Sequence, residues 1–105
     1  MAVLGEIGKG TTPRFVLRLS CDTADVAALE LTIISGAVQI DKDLADMTID
    51  DDHQMHVDLT QAETLTLSDE ITYQYHYRVD SGFVNSTRIY RRNVRELLSG
   101  RETDL

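Results

Sequence analysis

The longest run of alternating polar and apolar residues lies between Glu70 and Asp80. Its apolar members occupy every second position and share one face of an extended chain: Ile71, Tyr73, Tyr75, Tyr77 and Val79. This period of two, filled with β-branched and aromatic residues, predicts a β-strand. We expect this strand to be central, with three tyrosine rings in the core, and each buried tyrosine hydroxyl then needs a hydrogen-bond partner.

Shorter alternating runs predict further strands on both sides of this one. Their expected bounds are Arg14–Leu19, Ala28–Ser35, Val38–Lys42, Met47–Ile49, Gln54–Leu59 and Phe83–Val94. Gly36 is expected to end the second of them and to turn the chain back as a hairpin. Arg91 and Arg92 favour an edge position for the last strand, because charge on an exposed edge discourages unwanted pairing.

One short helical turn is predicted near residues 61–65. Thr60 and Glu63 have the spacing of a capping box, in which each side chain accepts a hydrogen bond from the other residue's amide. The next strand follows closely, which limits the helix to about one turn. Leu65 and Leu67 are then expected to lie under the sheet.

The number and spacing of these elements predict an all-β fold of about seven strands. An antiparallel β-sandwich with immunoglobulin-like topology fits best, and a small β-barrel is the alternative. The length of 105 residues corresponds to one domain. We expect that domain over residues 13–98, after a flexible lead-in over residues 1–12 and before a frayed tail over residues 99–105.

The composition is globular and acidic, with 42% hydrophobic residues and a net charge of −8. This charge argues against a nucleic-acid partner, because phosphate binding is driven by clustered lysine and arginine. Residues 1–80 carry 15 acidic and 5 basic side chains, whereas residues 81–105 carry 3 and 5. Such asymmetry can steer one copy onto another, or onto a protein partner.

Two charged segments are therefore the predicted protein-interaction residues. The basic segment contains Arg88, Arg91, Arg92 and Arg95, and the acidic segment contains Asp50, Asp51 and Asp52. The basic end of one copy would pair with the acidic region of a neighbour, and sheet edges would bind a protein partner or a second copy through backbone hydrogen bonds. A solvated basic end on an acidic domain is the alternative interpretation.

Cys21 is the only cysteine in the chain, which excludes an internal disulfide. The first residues have neither the basic segment nor the apolar run of a signal peptide, and no stretch reaches the roughly 20 apolar residues of a membrane span. We expect synthesis in the cytoplasm, no membrane partner, and either retention there or association with a virion.

Metal binding and nucleophilic catalysis find little support in the sequence. Residues 50–53 lack the alternate ligands, the glycine and the closing glutamate of an EF-hand, so a solvated turn is favoured over a calcium site. His56 and His76 could form a zinc site with Asp58 only if their strands paired, and surface positions are the simpler interpretation. Cys21 has no histidine near it in sequence to act as a base.

Two further patterns also have simpler structural interpretations. Residues 8–12 resemble a phosphate loop but lack the preceding strand, and Pro13 removes an amide donor. The three alternating tyrosines could stack on a sugar, but alternating aromatics on an internal strand are typical of a core. We therefore expect no enzyme activity, no cofactor and no metal.

Three segments, taken in order, carry a resemblance to a known group. They are Gly10–Pro13 ahead of a strand, Leu59–Leu65, and the hairpin over Tyr75–Thr87 with Gly82 at its turn. Over Gly10 to Leu98 the chain is similar to short acidic proteins of phage and prophage gene clusters in Gram-positive gut bacteria, and it resembles the β-rich domains that begin some phage baseplate proteins. The resemblance implies a structural or assembly role in a virion tail. The alternative is a ligand-binding or adhesion module that recognises a glycan or a host protein.

Overall fold

The computed structural model describes residues 2–95, and of residues 2–6 the backbone alone. This range contains nine β-strands, one α-helix and two short 3-10 turns. The bounds are β1 Ala2–Gly8, β2 Arg14–Arg18, β3 Val26–Ser35, β4 Val38–Asp43, β5 Thr48–Asp51, β6 Gln54–Asp58, α1 Gln61–Leu65, β7 Glu70–Val79, β8 Val84–Ser86 and β9 Tyr90–Arg95, with 3-10 turns at Thr23–Asp25 and Leu44–Asp46. The all-β prediction is confirmed.

The strands form two sheets that pack against each other. The larger sheet has the order β1-β9-β7-β3-β4, with β8 also paired to β7, and the smaller sheet has the order β2-β6-β5. All pairs are antiparallel except β1 and β9, which run parallel. The predicted sandwich is confirmed, but its larger sheet is mixed rather than wholly antiparallel.

Strand β7 lies in the middle of the larger sheet, as its pattern predicts. It pairs with β3 on one side, and with β9 and β8 on the other. Ile71, Tyr73, Tyr75 and Tyr77 are buried, and Val79 is half-buried. Their burial between two sheets excludes the tyrosine face as an open sugar-stacking platform.

The hydroxyls of Tyr75 and Tyr77 cross the core and close the open edge of β2. Because the Leu19 amide points toward β6, alternation directs the backbone groups of Arg18 and Ser20 away from it. The Tyr75 hydroxyl accepts from the Arg18 amide at 2.9 Å and donates to the Arg18 carbonyl at 2.8 Å. The Tyr77 hydroxyl accepts from the Ser20 amide at 3.0 Å. Two tyrosine side chains of the larger sheet thus supply hydrogen-bond partners to backbone groups at the open edge of the smaller sheet.

Tyr73 is buried without such a bond in the described part of the chain. Its ring packs edge-on against Phe15, with centroids 4.9 Å apart, and stacks on Tyr90 at 5.2 Å. Burial raises the pKa of Tyr73 from 10.0 to about 12. The expectation that a buried tyrosine hydroxyl has a hydrogen-bond partner is confirmed for Tyr75 and Tyr77. The Tyr73 ring is buried, but its hydroxyl is not among the fully buried atoms that lack a partner, so it does not contradict the expectation.

The flexible lead-in predicted over residues 1–12 is wrong for residues 2–8. These residues form β1, whose backbone pairs with β9. The register shifts between Leu4 and Ile7, around Gly5, so that glycine accompanies a bulge rather than ending the strand. The glycines of this segment indicated flexibility. Its pairing partner, β9, lies at the other end of the sequence, so the local sequence could not reveal the strand. The tail predicted over residues 99–105 lies outside the described residues.

The single strand predicted over Phe83–Val94 is divided into β8 and β9. The edge position inferred from Arg91 and Arg92 is also wrong, because β9 lies between β7 and β1. Arginines are tolerated on this inner strand because their long side chains pack along neighbouring surfaces while the guanidinium groups reach polar or aromatic partners.

The capping box ahead of α1 is confirmed. The Thr60 hydroxyl accepts from the Glu63 amide at 3.1 Å, and Glu63 accepts from the Thr60 amide at 2.9 Å. Leu67 is buried as predicted, but Leu65 is only half-buried. In a helix of one turn, adjacent residues point in different directions. Thr64 points into the core, so its neighbour Leu65 cannot.

Thr64 takes the buried position that Leu65 was expected to hold. Its hydroxyl accepts from the Gly10 amide at 2.9 Å and donates to the Thr11 carbonyl at 2.9 Å. This contact fastens the segment between β1 and β2 to the helix, 53 residues away in sequence. The expectation that no strand precedes residues 8–12 is wrong, because β1 ends at Gly8. The Gly10 amide is nevertheless occupied by the bond to Thr64, which removes a donor that a phosphate loop would need.

Candidate protein-interaction surface

Strands β7 and β8 form a hairpin with two exposed apolar side chains beyond its turn. Gly82 adopts φ +97°, a left-handed conformation that favours glycine. Phe83 is 75% exposed and Val84 is 63% exposed. Two adjacent large apolar groups in water at one turn form a candidate contact for another protein.

Between β8 and β9 the chain leaves the regular ladder but stays beside β7. The Gln74 side chain donates to the Thr87 carbonyl at 2.6 Å and holds this segment in place. Ile89 follows and is 47% exposed, close to Ile34, which is 45% exposed. Both line a shallow pocket of about 100 Å³ around Thr72. The outer face of the larger sheet therefore has a second exposed apolar site, separated from Val84 by the polar side chains of Ser86 and His76.

The outer face of the larger sheet, opposite the core, has charges of opposite sign on its two sides. Glu30, Asp41 and Asp43 lie on β3 and β4, and the arginines Arg78 and Arg91 lie on β7 and β9, where Glu70 is the acidic exception beside Arg91. A cleft of about 460 Å³ spans the boundary between them. Its lining includes Ala28, Glu30, Asp43, His76, Arg78 and Val84.

The far edge of β8 has no neighbouring strand among the described residues, because β1 pairs with β9 only from Tyr90 onward. The Phe83 carbonyl accepts from the Val79 amide, so alternation directs the amides and carbonyls of Val84 and Ser86 away from β7. Strand β8 contains no charged residue, whereas the edge strands β2, β4 and β5 each contain at least two. Of these four edges, β8 is the one without charge to discourage pairing.

The four predicted arginines do not form one surface. Arg91 lies on the outer face, with Nε 3.5 Å from the Glu70 carboxylate. This is an ion pair, but it is too long for a good hydrogen bond, and the buried Nε has none with residues 2–95. Arg92 lies on the opposite face of the strand, with its guanidinium 5.3 Å from the Phe15 ring centroid.

The other two arginines lie at separate places. Arg88 is exposed and lies over the ring of Tyr90 at 5.4 Å. Arg95 ends β9, and its guanidinium lies beside Gly8. The arginines of the basic segment thus lie on both faces of β9, along its length and just before it. Successive residues of a strand point to opposite sides, so adjacent arginines cannot share a face.

Asp50 on β5 has partners within its own sheet. It contacts His56 Nδ1 at 2.5 Å and accepts from the Gln54 side chain at 3.2 Å. The hydrogen bond from Gln54, followed by that from His56, lowers the pKa of Asp50. Its carboxylate is therefore ionised and locally paired.

Asp51 and Asp52 organise the turn between β5 and β6. The Asp51 carboxylate accepts from the His53 amide at 2.8 Å, and the Asp52 carbonyl accepts from the Thr23 amide at 2.7 Å. His53 in turn contacts the Cys21 carbonyl at 2.9 Å, and this hydrogen bond raises the pKa of His53. These contacts hold together two turns at one end of the sandwich.

The structure does not bring the predicted basic and acidic residues together within one chain. The aspartates lie on the hairpin of the smaller sheet, whereas the arginines lie on β9 or just before it in the larger sheet. Strand β9 runs antiparallel to β7 and so leads away from the end where the aspartate turn lies. Their pairing between two copies stays a prediction.

The zinc hypothesis required the strands of His56 and His76 to pair, and they do not. His56 is on β6 of the smaller sheet and His76 on β7 of the larger sheet. No group of three or more His, Cys, Asp or Glu within residues 2–95 is arranged to hold a metal ion. Burial, with a further contribution from Asp25, raises the pKa of the Cys21 thiol, which opposes its activation as a nucleophile.

Sequence reasoning missed the apolar residues of this surface: Phe83, Val84 and Ile89. The available signal was the failure of alternation after Gly82, where two large apolar residues are adjacent. A second signal was Ile89 beside Tyr90, since neighbours in a strand face opposite sides and one of them must point outward. No helix in the described part of the chain is long and apolar enough to cross a membrane.

No protein-family model matches the chain, and no curated protein is significantly similar to it. Among solved structures it is similar to the NK cell receptor NKp44, described as a triggering partner in natural cytotoxicity. The TM-score is 0.50 and the identity 16%, over 91% of this chain and 97% of the receptor chain. At this identity the likeness shows the fold alone.

The chain is an immunoglobulin-like β-sandwich. The extra strand β4 beside β3 corresponds to the variable type, in which strand C′ extends the sheet of strands G, F and C. Antibody domains join strands B and F of the two sheets by a disulfide. Here the corresponding link between β2 and β7 is made by the hydroxyls of Tyr75 and Tyr77.

Proposed function

We propose that this chain is a non-catalytic assembly module that acts through protein–protein contacts as a tail or baseplate component of a phage or prophage. The observation that carries the proposal is the exposed apolar surface at Phe83, Val84 and Ile89, next to the uncharged open edge of β8. An acidic domain gains little from exposing these groups unless another protein covers them.

The chemistry of the polar residues supports a non-catalytic role. The hydroxyls of Tyr75 and Tyr77 bind backbone groups across the core, and the Thr64 hydroxyl binds the segment before β2. These groups are engaged in holding the fold together. The raised pKa of the Cys21 thiol is the opposite of what a nucleophile needs.

The phage assignment is supported by the resemblance of Gly10–Pro13, Leu59–Leu65 and Tyr75–Thr87. Two of these segments contact each other, because the Gly10 amide donates to the Thr64 hydroxyl. The third contains the hairpin with the exposed apolar residues. The segments that carry the resemblance therefore have folding and contact roles, which suits a structural protein.

The test is incorporation into particles. A producing strain is induced, and tail particles are purified and analysed by mass spectrometry. We expect the chain in stoichiometric amount, and genes for tail proteins beside its own. Particles that form normally without the chain, together with a gene neighbourhood devoid of virion genes, would contradict the proposal.

Complementation of a deletion strain sharpens this test. The double variant Phe83→Ser/Val84→Ser is expected to fold but to lower the yield of complete particles. The matched control is Val16→Ser/Ile49→Ser, which removes exposed apolar groups from the smaller sheet, where they are 44% and 61% exposed. Equal yields from the two variants would exclude the hairpin as the contact.

A ligand-binding or adhesion module is the second candidate, and the clustering of turns at one end favours it. The Thr23 amide donates to the Asp52 carbonyl, and the Asp80 amide donates to the Asp25 carbonyl at 2.9 Å. Three turns thus meet near Phe83, and two of them, β2–β3 and β7–β8, correspond to the B–C and F–G binding loops of variable domains. Particles that assemble normally with the Phe83→Ser chain but lose adsorption to cells or to a glycan array would favour this candidate.

A further inference from the structure

We propose that two copies of this chain pair through strand β8, antiparallel across a two-fold axis, so that their larger sheets join into one continuous sheet. This inference rests on the proposed function, because it names a second copy as the protein that covers the exposed hairpin. The pairing uses backbone groups that the monomer leaves open.

The edge of β8 is prepared for such a contact by its hydrogen-bond pattern. Phe83 and Thr87 bond to β7, and Asn85 lies opposite Tyr77 between them. The amides and carbonyls of Val84 and Ser86 therefore point outward, where another strand can bond to them. Pairing through them leaves every existing bond of the hairpin intact.

The two-fold axis sets the register. With Asn85 on the axis, Val84 of each copy lies opposite Ser86 of the other, and each such pair exchanges two backbone hydrogen bonds. Each Val84 side chain then lies on the outer face directly opposite Ser86 of the other copy. Val84 is 63% exposed in the monomer, so this contact removes apolar surface from water.

Charge complementarity supports a second copy as the occupant. Arg88 lies two residues beyond β8, outside the regular ladder, and the two-fold axis brings it near the turn that contains Asp80 and Gly82 of the other copy. Arg88 and Asp80 are both exposed. A pair of opposite charges on each side of the axis favours this register and partly offsets the repulsion between two chains of net charge −8.

Three other edge strands, β2, β4 and β5, are less suited to self-pairing. Strand β2 has arginines at both ends, β5 ends in two aspartates, and β4 ends in Asp41, Lys42 and Asp43. The backbone of β2 near Arg18 is also already bonded by the Tyr75 hydroxyl. Because β8 is short, the contact is small, and we expect a dissociation constant of about 10 μM to 1 mM.

Disulfide trapping tests the axis directly. Asn85 would face itself as a non-hydrogen-bonded pair with a Cα separation of about 4.5 Å, which suits a disulfide. The experiment compares Asn85→Cys with Ser81→Cys, both carrying Cys21→Ala, in a glutathione redox buffer. Two Ser81 positions would be separated by more than about 20 Å in the paired strands. We expect covalent dimers of the Asn85→Cys chain to form at least about tenfold faster.

A backbone substitution tests the hydrogen bonds. Ser86→Pro removes an outward amide that the monomer does not use, and symmetry removes it twice. At about one kilocalorie per bond this corresponds to roughly thirtyfold weaker dimerisation, measured by analytical ultracentrifugation. Val84→Lys is a second variant, in which edge charge opposes pairing without a change of backbone. Circular dichroism melts verify that each variant is folded.

The charge register has its own test. Asp80→Arg and Arg88→Asp should each weaken the dimer, and the double variant should restore it, because each arginine again meets an aspartate across the axis.

Three results would overturn the pairing. They are a wild-type chain that stays monomeric at about 1 mM, equal trapping rates for Asn85→Cys and Ser81→Cys, and a dimer that neither Ser86→Pro nor Val84→Lys weakens. A monomeric chain that is still found in tail particles would exclude the dimer and leave the proposed function standing. A dimeric chain missing from such particles would exclude the function and leave the dimer.

Discussion

Replacement of Tyr75 by phenylalanine tests how the two sheets are held together. The ring is 4% exposed, so Tyr75→Phe keeps the packing and removes only the hydroxyl. That hydroxyl bridges the sheets by accepting from the Arg18 amide and donating to the Arg18 carbonyl. Without it, both backbone groups lose their protein partner at the open edge of β2.

The expected loss follows from these two bonds. Each contributes about 1 kcal/mol, and the part-buried amide and carbonyl left behind add a desolvation cost that water at the sheet edge reduces. The free energy of unfolding should therefore fall by about 2–3 kcal/mol. For a domain of this size this corresponds to a melting temperature lower by roughly 10–15 °C.

Urea denaturation followed by far-ultraviolet circular dichroism measures the difference, since the chain has no tryptophan to report it. The matched control is Tyr73→Phe, which removes a hydroxyl that has no hydrogen bond within the described residues. It should cost less than about 0.5 kcal/mol. If Tyr73→Phe destabilises the chain as much as Tyr75→Phe, the two hydrogen bonds of the Tyr75 hydroxyl do not stabilise the sandwich.

Three further outcomes are expected. Thr64→Val, which leaves the Gly10 amide without its partner, should lower the free energy of unfolding by about 2 kcal/mol in urea, whereas exposed Thr12→Val should change it little. The pKa of Tyr73 is raised from 10.0 to about 12 in the folded chain, so the tyrosine of the unfolded chain ionises first as the pH rises. The free energy of unfolding should therefore be undiminished below pH 10 and should fall as the pH rises toward 12. Tyr73→Phe should flatten this fall in alkaline melts. Phe83→Ser should leave the melting temperature within a few degrees, since the side chain is 75% exposed.

Each of these outcomes can contradict the reasoning. Equal losses for the two threonine variants would mean that the Thr64 contact is not stabilising. If stability falls as steeply with rising pH in Tyr73→Phe as in the wild-type chain, the ionisation of Tyr73 does not cause the alkaline loss of stability. A large loss of stability in Phe83→Ser would show that the hairpin apolar group packs within its own chain, and would remove it as a contact for other proteins.

The local pattern of the chain was sufficient for several elements. Alternation over Glu70–Val79 predicts both the strand and its inward face, because successive strand side chains point to opposite sides. Thr60 and Glu63 predict their helix because a capping box is closed by residues three apart. Gly36, at φ +59°, predicts the β3–β4 hairpin for the same local reason.

The pairing of strands was decided by tertiary structure. Residues 2–8 contain glycines and lack a clear pattern, yet they are ordered by β9, more than eighty residues later in the chain. Arg91 and Arg92 indicated an edge because charge usually marks one, but β1 covers that edge. Strands pair through backbone hydrogen bonds, which every residue except proline can form. The local sequence of a strand therefore says little about which other strand it pairs with.

The sequence by itself determined a small all-β domain with a tyrosine-rich central strand. Only the tertiary structure decided that Tyr75 and Tyr77 would bond to the edge of β2, and that Tyr73 would not. It also separated the four arginines and left Phe83, Val84 and Ile89 in water. The physical reason is that strand formation and side-chain alternation are local properties, whereas hydrogen-bond partners and exposure depend on which distant segments meet.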